Sequence, residues 1–304
     1  MPKVSVCVPA YGNPEGIRRL LMSVAEQNFT DYEVIVTDDS ADDAVETAVR
    51  DAGTANLYYC RNRTRLGAAA NWNEAVRRAS GAYIKMMHHD DWFASKDSLG
   101  RLAALLDDSP EAALAFCGSY QVTLQEGEEA VRGERFARGI SREQEALLRK
   151  DWRNLFLGNY IGAPSATIYR KNALEFEEKL TWVMDMEYYM RLLREHPVFS
   201  CTQEPLVCIG VSQNQLTESC RTDGKLNLFE YGFLYREFDL GKQKRYQDRL
   251  SEVALEFGLP WKELAPYGIE KKSYRKLLRQ KKRADFVFLL GVARRKLLRG
   301  RTGK

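Results

Sequence analysis

The stretch 81–93 carries the side chains best suited to chemistry in this 304-residue chain. Its first half is a short apolar run behind a glycine, which predicts a buried strand, and it ends in His88, His89, Asp90 and Asp91. In open α/β sheets, ligands bind beyond the carboxyl ends of the strands. A carboxylate pair at that place can hold a divalent cation against a phosphorylated ligand. A polar turn that simply ends a strand explains the same residues equally well.

A second set of candidate residues lies between positions 180 and 193. Helical spacing predicts a buried stripe formed by Trp182, Met186, Tyr189 and Leu193. Asp185 lies beside this stripe, whereas Glu187 has a solvated partner four residues on, in Arg191. A carboxylate turned towards a core is costly unless it faces a cleft or a partner, so Asp185 is the functional candidate.

Alternating strands and helices must position these residues. The pattern predicts strands at 4–8, 33–37, 56–60 and from 81, and helices from 13, at 43–50 and at 68–80. Such alternation indicates a largely parallel sheet with helices on both faces. Because strands two and four both end in an Asp-Asp pair, both pairs are expected at the same carboxyl edge.

Composition is that of a soluble α/β protein with an added subdomain, at 44% hydrophobic and 29% charged residues. Six cysteines are scattered without a C-x-x-C pair, which predicts reduced thiols in a cytosol. The first apolar run is too short for a secretory signal, and no stretch approaches the roughly 18 to 20 apolar residues of a spanning helix. A cytoplasmic protein is expected.

Positive charge is concentrated at the end of the chain. Residues 271–304 contain 14 Lys and Arg and one acidic residue, while residues 1–270 contain 32 basic and 41 acidic residues. An apolar run at 286–293, flanked by basic triplets, suits a helix lying at an anionic membrane interface. A helix packed on the rest of the protein with a solvated basic face explains it equally well. No nucleic-acid motif accompanies the charge, so nucleic acid is not expected as a partner.

Three motifs, in order, resemble the family 2 glycosyltransferases with the GT-A fold: residues 4–13, residues 34–40 with Asp38-Asp39-Ser40, and residues 81–91. The resemblance covers roughly residues 4–220. It implies an α/β GT-A nucleotide-diphospho-sugar transferase fold, with a mixed, mostly parallel sheet flanked by helices. It also implies transfer of a sugar, with inversion, from a nucleoside diphosphate donor to an acceptor hydroxyl. From about residue 226 the resemblance ends, and the sequence predicts a C-terminal helical extension with helices at 226–238 and 242–257.

The same resemblance implies a division of labour along the chain. Residues 1–115 would bind the nucleotide sugar, residues 116–225 would bind the acceptor and carry the catalytic base, and residues 226–304 would form the helical basic extension. The expected donor is a UDP-sugar, and the expected acceptor is a glycan or glycolipid of cell-surface polysaccharide or glycolipid synthesis. A cytoplasmic enzyme, peripheral on the inner face of the membrane through residues 271–304, would meet both.

The donor-binding residues implied by the resemblance are Pro9, Tyr11, Asp38, Asp39, Asn71, His88 and Asp90. Asp38 corresponds to the family aspartate that contacts the nucleobase, where a carboxylate can accept the N3–H of uracil. Asp39 is also interpreted as a helix cap, together with Ser40. Tyr11 would border the base, although an aromatic residue at a strand end is as often part of the core.

The implied metal ligands are Asp90, His88 and Asp91, with Mn²⁺ or Mg²⁺ as the ion. Asp90 falls on the second aspartate of the family's Asp-x-Asp motif, and His88 stands where the first aspartate is usual. Imidazole suits Mn²⁺ better than Mg²⁺, or His88 contacts the donor without touching metal. Asp91 either ligates directly or orients Asp90. His89 is interpreted as structural.

The implied catalytic base is Asp185, which would take the proton from the attacking acceptor hydroxyl in a single displacement. Met184 replaces the family's usual glutamate before it. The resemblance also implies that residues 162–165 border the acceptor and that residues 211–217 form a loop closing over the donor.

Three other functions fit parts of the pattern. A sugar nucleotidyltransferase would use a similar sheet, but it normally has a Gly-rich loop with Arg and Lys where this chain reads Pro-Ala-Tyr-Gly-Asn-Pro at 9–14. A non-catalytic nucleotide-sugar-binding protein would not need the three separated aspartates. A metal-dependent hydrolase would need more dispersed ligands than the cluster at 88–91 offers.

Overall fold

The computed structural model describes residues 1–124, 135–211 and 220–283. The chain divides into two compact units, Met1–Ser219 and Cys220–Lys304. The three-part division by function stays a prediction. The predicted donor loop at 211–217 lies outside the described residues from 212 onward, and so does the apolar run at 286–293.

The first unit contains one mixed sheet, which has nine strands among the described residues. Their order is β3-β2-β1-β4-β8-β6-β9-β5, with β7 paired to β6. The strands are β1 (Val4–Ala10), β2 (Tyr32–Asp38), β3 (Leu57–Arg61), β4 (Tyr83–Met86), β5 (Trp92–Phe93), β6 (Leu114–Thr123), β7 (Arg135–Arg138), β8 (Thr167–Arg170) and β9 (Phe199–Val211).

Helices of the first unit connect these strands and cover the sheet. They are α1 (Pro14–Ala25), α2 (Ala44–Ala52), α3 (Ala68–Arg78), α4 (Ser98–Asp107), α5 (Arg142–Lys150) and α6 (Met184–Glu195). Two short 3₁₀ segments, Trp152–Leu157 and Pro164–Ala166, follow α5 and precede β8. The predicted strands and helices of the first hundred residues are confirmed with small shifts at their ends.

Parallel pairing brings the polar strand ends together. Strands β1, β2, β3 and β4 are parallel, with Ala10 opposite Asp38 and Asp38 opposite Arg61. The other half is mixed, because β8 is antiparallel to both β4 and β6, whereas β6 and β9 are parallel. The predicted mixed α/β sheet is confirmed, and the ends of β2 and β4 lie at one carboxyl edge.

Helix α1 begins where local chemistry dictates. The Asn13 side chain accepts a hydrogen bond from the Gly16 amide at 2.9 Å, and Pro14 occupies the first turn, where its missing amide proton costs nothing. The apolar positions at helical spacing are buried as predicted: Ile17, Leu20, Leu21 and Val24.

Gly16 brings α1 against the turn that follows β4. A Cβ atom at Gly16 would lie 2.4 Å from the main-chain oxygen of His89 and 2.6 Å from Nδ2 of Asn13. On the other side of the same turn, Nδ1 of His89 lies 3.3 Å from the Pro9 oxygen at the end of β1. The helix and the first strand therefore hold the backbone of residues 88–91, and His89 contributes to that support.

The second unit is helical in its described part. Its helices are α7 (Gly224–Glu237), α8 (Lys244–Glu256), α9 (Trp261–Leu264) and a helix that runs from 271 to at least 283. Two helices were predicted at 226–238 and 242–257, within a few residues of α7 and α8. None of the described helices combines the length and apolarity that crossing a bilayer requires.

Gly16→Ala is expected to lower the free energy of unfolding by about 2 kcal/mol or more, because the methyl group must displace the Asn13 cap or the His89 carbonyl. Gly100→Ala in α4 is the matched control, since its Cβ would meet Phe29 at an ordinary 3.4 Å. A helical alanine there should leave stability unchanged or raise it by up to about 1 kcal/mol. Urea unfolding of both variants gives the comparison, and equal stabilities would contradict the tight contact.

Candidate functional site

The turn after β4 gathers three possible metal ligands. The Met87 amide still bonds the Cys7 oxygen of β1, and the Asp91 amide then bonds the His88 oxygen at 3.0 Å, which closes a tight turn. The turn directs side chains of His88, Asp90 and Asp91 to one place, where one ligand atom from each lies within 4.8 Å of the others. The structure thus brings together all three predicted ligands.

Asp91 is the most buried of the three, with 2% of its surface exposed. Its Oδ1 accepts a hydrogen bond from the Gly210 amide at 3.0 Å, and its Oδ2 is buried without a hydrogen-bond partner among the residues that the structure describes. Burial and the neighbouring Asp90 carboxylate raise the pKa of Asp91 well above its usual range, against the opposing effect of the Ser165 hydroxyl and the Gly210 amide. A cation at Oδ2 would stabilise the ionised form.

His88 presents its imidazole in the form that binds metals. Desolvation lowers the pKa of His88 to about 4, although the Asp90 charge acts to raise it, so the ring is neutral at pH 7. Its Nε2 is buried without a partner, and its Nδ1 lies 3.9 Å from Oδ2 of Asp91. The ring packs on Trp72 at a centroid distance of 4.7 Å, which fixes its position.

This donor set fits a divalent cation. Two carboxylates and a neutral imidazole are ligands that Mn²⁺ accepts, and the buried Asp91 Oδ2 and His88 Nε2 both lack a partner within residues 1–124, 135–211 and 220–283. Polar atoms buried without a partner are rare in folded proteins. These two are explained if an ion binds between the side chains of the turn.

Arg19 is a charged neighbour of this turn that sequence reasoning missed. Its guanidinium lies 4.8 Å from the ring centre of Trp92, directly after the turn. Burial lowers the pKa of Arg19 although the charges of Asp90, Asp91 and Glu15 all act to raise it. A positive charge on α1 therefore lies beside the acidic turn. No sequence pattern marks Arg19, because its nearness to the turn follows from how α1 packs. One turn later on the same helix, the Ser23 hydroxyl accepts a hydrogen bond from the Phe93 amide at 3.1 Å.

Asp38 is fully buried at the end of β2. Its Oδ1 accepts hydrogen bonds from the amide and hydroxyl of Ser40 at 2.8 and 2.5 Å, and its Oδ2 accepts one from the Tyr59 hydroxyl at 2.8 Å. The Ser40 hydroxyl also accepts a hydrogen bond from the Gly12 amide at 2.8 Å, which ties the loops after β1 and β2 together. The carboxylate of Asp38 therefore stabilises this edge of the sheet. Its predicted contact with the base of the donor stays a prediction.

Asp39 holds the loop that leads into α3. Its carboxylate accepts hydrogen bonds from the amides of Leu66 and Gly67 at 2.9 to 3.1 Å and from Nδ2 of Asn62 at 2.7 Å. The interpretation of Asp39 as a helix cap was wrong. Helix α2 begins at Ala44 with Asp43 in the cap position, because the residues after Ser40 first make a turn.

Asn71 locks the ends of β1 and β2. It is 4% exposed, its Nδ2 donates to the oxygens of Ala10 and Thr37 at 3.3 Å each, and its Oδ1 accepts a hydrogen bond from Asn62 at 2.9 Å. Its predicted part in donor binding would therefore be exerted through these strand ends.

Tyr11 and Pro9 lie at the same edge in different environments. Tyr11 is 46% exposed and carries the Arg65 guanidinium 4.2 Å from its ring centre, so it is not a core residue. Pro9 is buried in β1, and its oxygen faces the His89 ring. An exposed aromatic ring with a cation above it offers a surface on which a base or a phosphate can rest.

Asp185 lies in the first turn of α6, at the other side of the candidate site. Its Oδ2 accepts a hydrogen bond from Nδ2 of Asn159 at 2.8 Å, and Oδ1 of Asn159 in turn accepts one from the Gly162 amide at 3.0 Å. The sequence-based interpretation of Glu187 was wrong in one respect. Its ion pair with Arg191, at 2.6 Å, is present, but Glu187 is 2% exposed and not on a solvated side.

One loop joins the two groups of candidate residues. Asn159 at its start bonds Asp185, and Ser165 at its end accepts a hydrogen bond from the His88 amide at 2.9 Å. Six residues of extended chain span at most roughly 20 Å. This loop therefore limits how far Asp185 can lie from the ligand cluster, and their joining in one site stays a prediction.

Comparison with known proteins agrees with this geometry. A sequence model of the family described as "Glycosyl transferase family 2" matches residues 5–176, more than half of the chain. An uncharacterized Mycobacterium tuberculosis protein is 28% identical over 204 residues, which are 63% of this chain and 62% of that protein. A Campylobacter jejuni enzyme named GalNAc(5)-diNAcBac-PP-undecaprenol beta-1,3-glucosyltransferase is 24% identical over 229 residues, 70% of each chain. The chain thus spans less than two thirds of the first relative.

Solved structures show the same fold. Staphylococcus aureus TarS 1-349 in complex with UDP-GlcNAc has a TM-score of 0.62 at 17% identity, covering 93% of this chain and 92% of that one. The mannosyltransferase PcManGT from Pyrobaculum calidifontis, in complex with GDP-Man and Mn²⁺, has a TM-score of 0.54 at 19% identity, with 91% and 83% covered. The fold is therefore the GT-A-like α/β fold, and the chain belongs to glycosyl transferase family 2.

Proposed function

We propose that this protein is a metal-dependent, inverting glycosyltransferase that moves a sugar from a UDP-sugar to a hydroxyl of a lipid-linked or polymeric cell-surface glycan. The observation that carries the proposal is the cluster of His88, Asp90 and Asp91, with two buried ligand atoms lacking partners, joined through residues 159–165 to Asp185. Such a pairing of a cation site with a separate carboxylate is what a displacement at a sugar diphosphate needs.

The names of relatives support the choice of donor and acceptor. An Escherichia coli relative, 31% identical over 94 residues, is named as a UDP-Glc:alpha-D-GlcNAc-diphosphoundecaprenol beta-1,3-glucosyltransferase. The Campylobacter relative is likewise named for a glucosyl transfer to a diphosphate-linked undecaprenol glycan. We infer the same substrate classes for this chain, a UDP-sugar and a phosphate-linked glycan acceptor.

The chain's own residues would divide the reaction between the two ends of the site. The Asp185 carboxylate takes the proton of the acceptor hydroxyl while the hydroxyl oxygen of the acceptor forms a bond to the anomeric carbon of the donor sugar. The bond from that carbon to the diphosphate oxygen breaks on the opposite face, so the configuration inverts and UDP leaves. Asn159 holds one carboxylate oxygen of Asp185, which leaves the group oriented before the acceptor arrives.

His88, Asp90 and Asp91 would hold a divalent cation that supplies Lewis-acid stabilisation of the diphosphate leaving group. Asp90 and Asp91 provide oxygen ligands, and the neutral His88 ring provides a nitrogen ligand in place of a carboxylate. Imidazole nitrogen favours Mn²⁺ over Mg²⁺. We therefore propose Mn²⁺ as the preferred ion.

Asp185→Asn is expected to lower kcat by about 100- to 10,000-fold, because the amide cannot accept the acceptor's proton, while its oxygen can still accept the Asn159 hydrogen bond. Release of UDP from a panel of UDP-sugars with Mn²⁺ measures kcat, and calorimetric titration with UDP measures the affinity for UDP. UDP affinity should stay within about twofold, since the base takes no part in donor binding.

Glu195→Gln is the matched control for that prediction, because Glu195 is an exposed carboxylate on the same helix. Its kcat should equal that of the wild type. Wild-type turnover in Asp185→Asn would remove the base assignment, and release of UDP from no UDP-sugar by the wild type would remove the proposed donor.

His88→Asp is expected to lower the ratio of Mn²⁺-supported to Mg²⁺-supported activity by about tenfold, because a carboxylate replaces the nitrogen ligand that favours Mn²⁺. Activity titrations with each ion give the ratio. The control is His196→Gln, which changes an exposed histidine at the end of α6 and should leave the ratio unaltered. An unchanged ratio in His88→Asp would show that His88 does not ligate the ion.

We further propose that the basic helix at 271–283 contacts an anionic membrane surface where the acceptor lipid resides. Its 13 residues include eight Lys and Arg and no acidic residue. Tyr274 and Lys281, two turns apart, face the rest of the second unit. The Tyr274 hydroxyl donates a hydrogen bond to the Leu259 oxygen, and Nζ of Lys281 donates one to the Leu255 oxygen. The remaining basic side chains are exposed, which suits a surface of anionic headgroups.

Reversing three of these charges, with Lys272→Glu, Lys276→Glu and Arg279→Glu together, is expected to abolish sedimentation with vesicles of phosphatidylcholine and phosphatidylglycerol at low salt. Each Lys or Arg near such a surface contributes about 1 kcal/mol. The control reverses three exposed charges of the first unit, with Arg50→Glu, Lys96→Glu and Lys150→Glu. Equal sedimentation of the two triple variants would contradict the membrane contact.

A further inference from the structure

Lys85 is a fully buried lysine whose charge is not explained by the fold alone. It lies on β4 opposite Val6, with its Nζ 5.7 Å from the ring centre of Phe93. Its ammonium donates hydrogen bonds to the main-chain oxygens of Met86, at 3.1 Å, and Ser165. Burying an ammonium group costs several kcal/mol unless its donors are satisfied. An apolar side chain would fill the space between strands without that cost, so the position of the two oxygens must matter.

Ser165 is the partner on which these contacts converge. It is also fully buried, in the 3₁₀ turn Pro164–Ala166. While its main-chain oxygen accepts from Lys85, its Oγ accepts the His88 amide proton at 2.9 Å. The Ser165 hydroxyl also acts to lower the pKa of Asp91, against the larger effect of burial. One serine therefore holds the backbone of the first proposed ligand and is bonded to the buried lysine of β4.

The same segment reaches the other end of the site. Six residues before Ser165, Asn159 donates to Oδ2 of Asp185, and the Tyr189 hydroxyl lies 3.5 Å from the Gly162 oxygen. Gly162 has φ of +100°, a conformation that favours glycine, and its amide bonds back to Asn159. The loop is closed on itself, so a displacement of Ser165 would be passed to Asn159.

We propose that Ser165, anchored by Lys85, is a positioning residue that keeps the metal-binding turn and the base-bearing helix in register through the loop 159–165. The inference rests on the proposed function and adds two fully buried residues, Lys85 and Ser165, to the structure that supports the site. Groups that orient metal ligands typically alter metal affinity by about 10- to 100-fold when removed. Cation affinity and orientation of the base are then two properties of one loop.

Ser165→Ala tests the proposal by removing only the hydroxyl. In the presence of saturating UDP, the variant is expected to bind Mn²⁺ about tenfold more weakly, with free Mn²⁺ measured by electron paramagnetic resonance. Its kcat at saturating Mn²⁺ should also fall, because the loop no longer holds Asn159 against Asp185. Ser251→Ala is the control, since Ser251 is an equally buried serine of α8 whose hydroxyl bonds the Gln247 oxygen.

Lys85→Met and Asn159→Ala separate positioning from simple filling of the interior. Lys85→Met keeps the volume but frees the Ser165 oxygen, so its Mn²⁺ affinity should fall as in Ser165→Ala. Asn159→Ala should lower kcat while leaving Mn²⁺ affinity within about twofold, since Asn159 bonds Asp185 and Gly162 whereas Ser165 keeps its own bonds to His88 and Lys85. If Lys85→Met does not fold, Ser165→Ala and Asn159→Ala decide the question between them.

Three outcomes contradict the proposal, and each has a different meaning. Wild-type Mn²⁺ affinity in Ser165→Ala, with the wild type binding Mn²⁺ normally, overturns the positioning role and leaves the proposed function intact. A wild-type protein that binds no Mn²⁺ in the presence of UDP overturns the metal-dependent function and this inference with it. Loss of affinity in Ser251→Ala equal to that in Ser165→Ala would also overturn it, because the effect would then follow from lost stability.

Discussion

Repulsion between adjacent carboxylates is the constraint on which the site depends. Asp90 and Asp91 are neighbours in a tight turn, and Asp91 is almost completely withdrawn from water. Burial raises the pKa of Asp91, and the neighbouring Asp90 charge raises it further, so the ionised pair is costly in this region of low dielectric. Keeping such a pair requires that the backbone of the turn be held firmly and that a compensating positive charge have a place beside it. The residues packed around the turn provide both.

The surrounding elements serve that requirement from three directions. Gly16 allows α1 to touch the turn, and Gly210 allows β9 to approach it, since a Cβ at Gly210 would lie 2.5 Å from the Asp90 oxygen. The main-chain amide of Gly210 bonds Asp91 directly. From the third side, Ser165 contacts the turn. Helix α1 also places the cation of Arg19 beside it. A helix, a strand and a loop thus meet at the turn 88–91, which explains why residues distant in sequence determine its conformation.

The sequence was sufficient for the fold and the ligand cluster because both follow from local patterns. Alternating apolar runs predicted the strands, and the polar residues at their ends predicted which side chains come together at the sheet edge. It was not sufficient for Asp39, Lys85 or Ser165, whose long-range partners lie 23 to 80 positions away in sequence. Nothing in the residue type distinguishes a buried lysine from a solvated one. The predicted exposure of Glu187 was wrong for a similar reason. Helical spacing identifies Arg191 as its partner but does not show which residues of the fold cover the ion pair.

The seam between the two halves of the sheet has a consequence for how such proteins diversify. Strands β4 and β8 are paired through only two residue pairs, Tyr83 with Arg170 and Ile84 with Tyr169. The β1–β2 and β6–β9 pairs, one on each side of this junction, extend over seven and nine residue pairs. So short a backbone junction restricts few side chains. Under the proposed function, exchange of the strands beyond it is expected to change the acceptor preference without altering the nucleotide-binding strands, provided that the contacts of the turn are preserved.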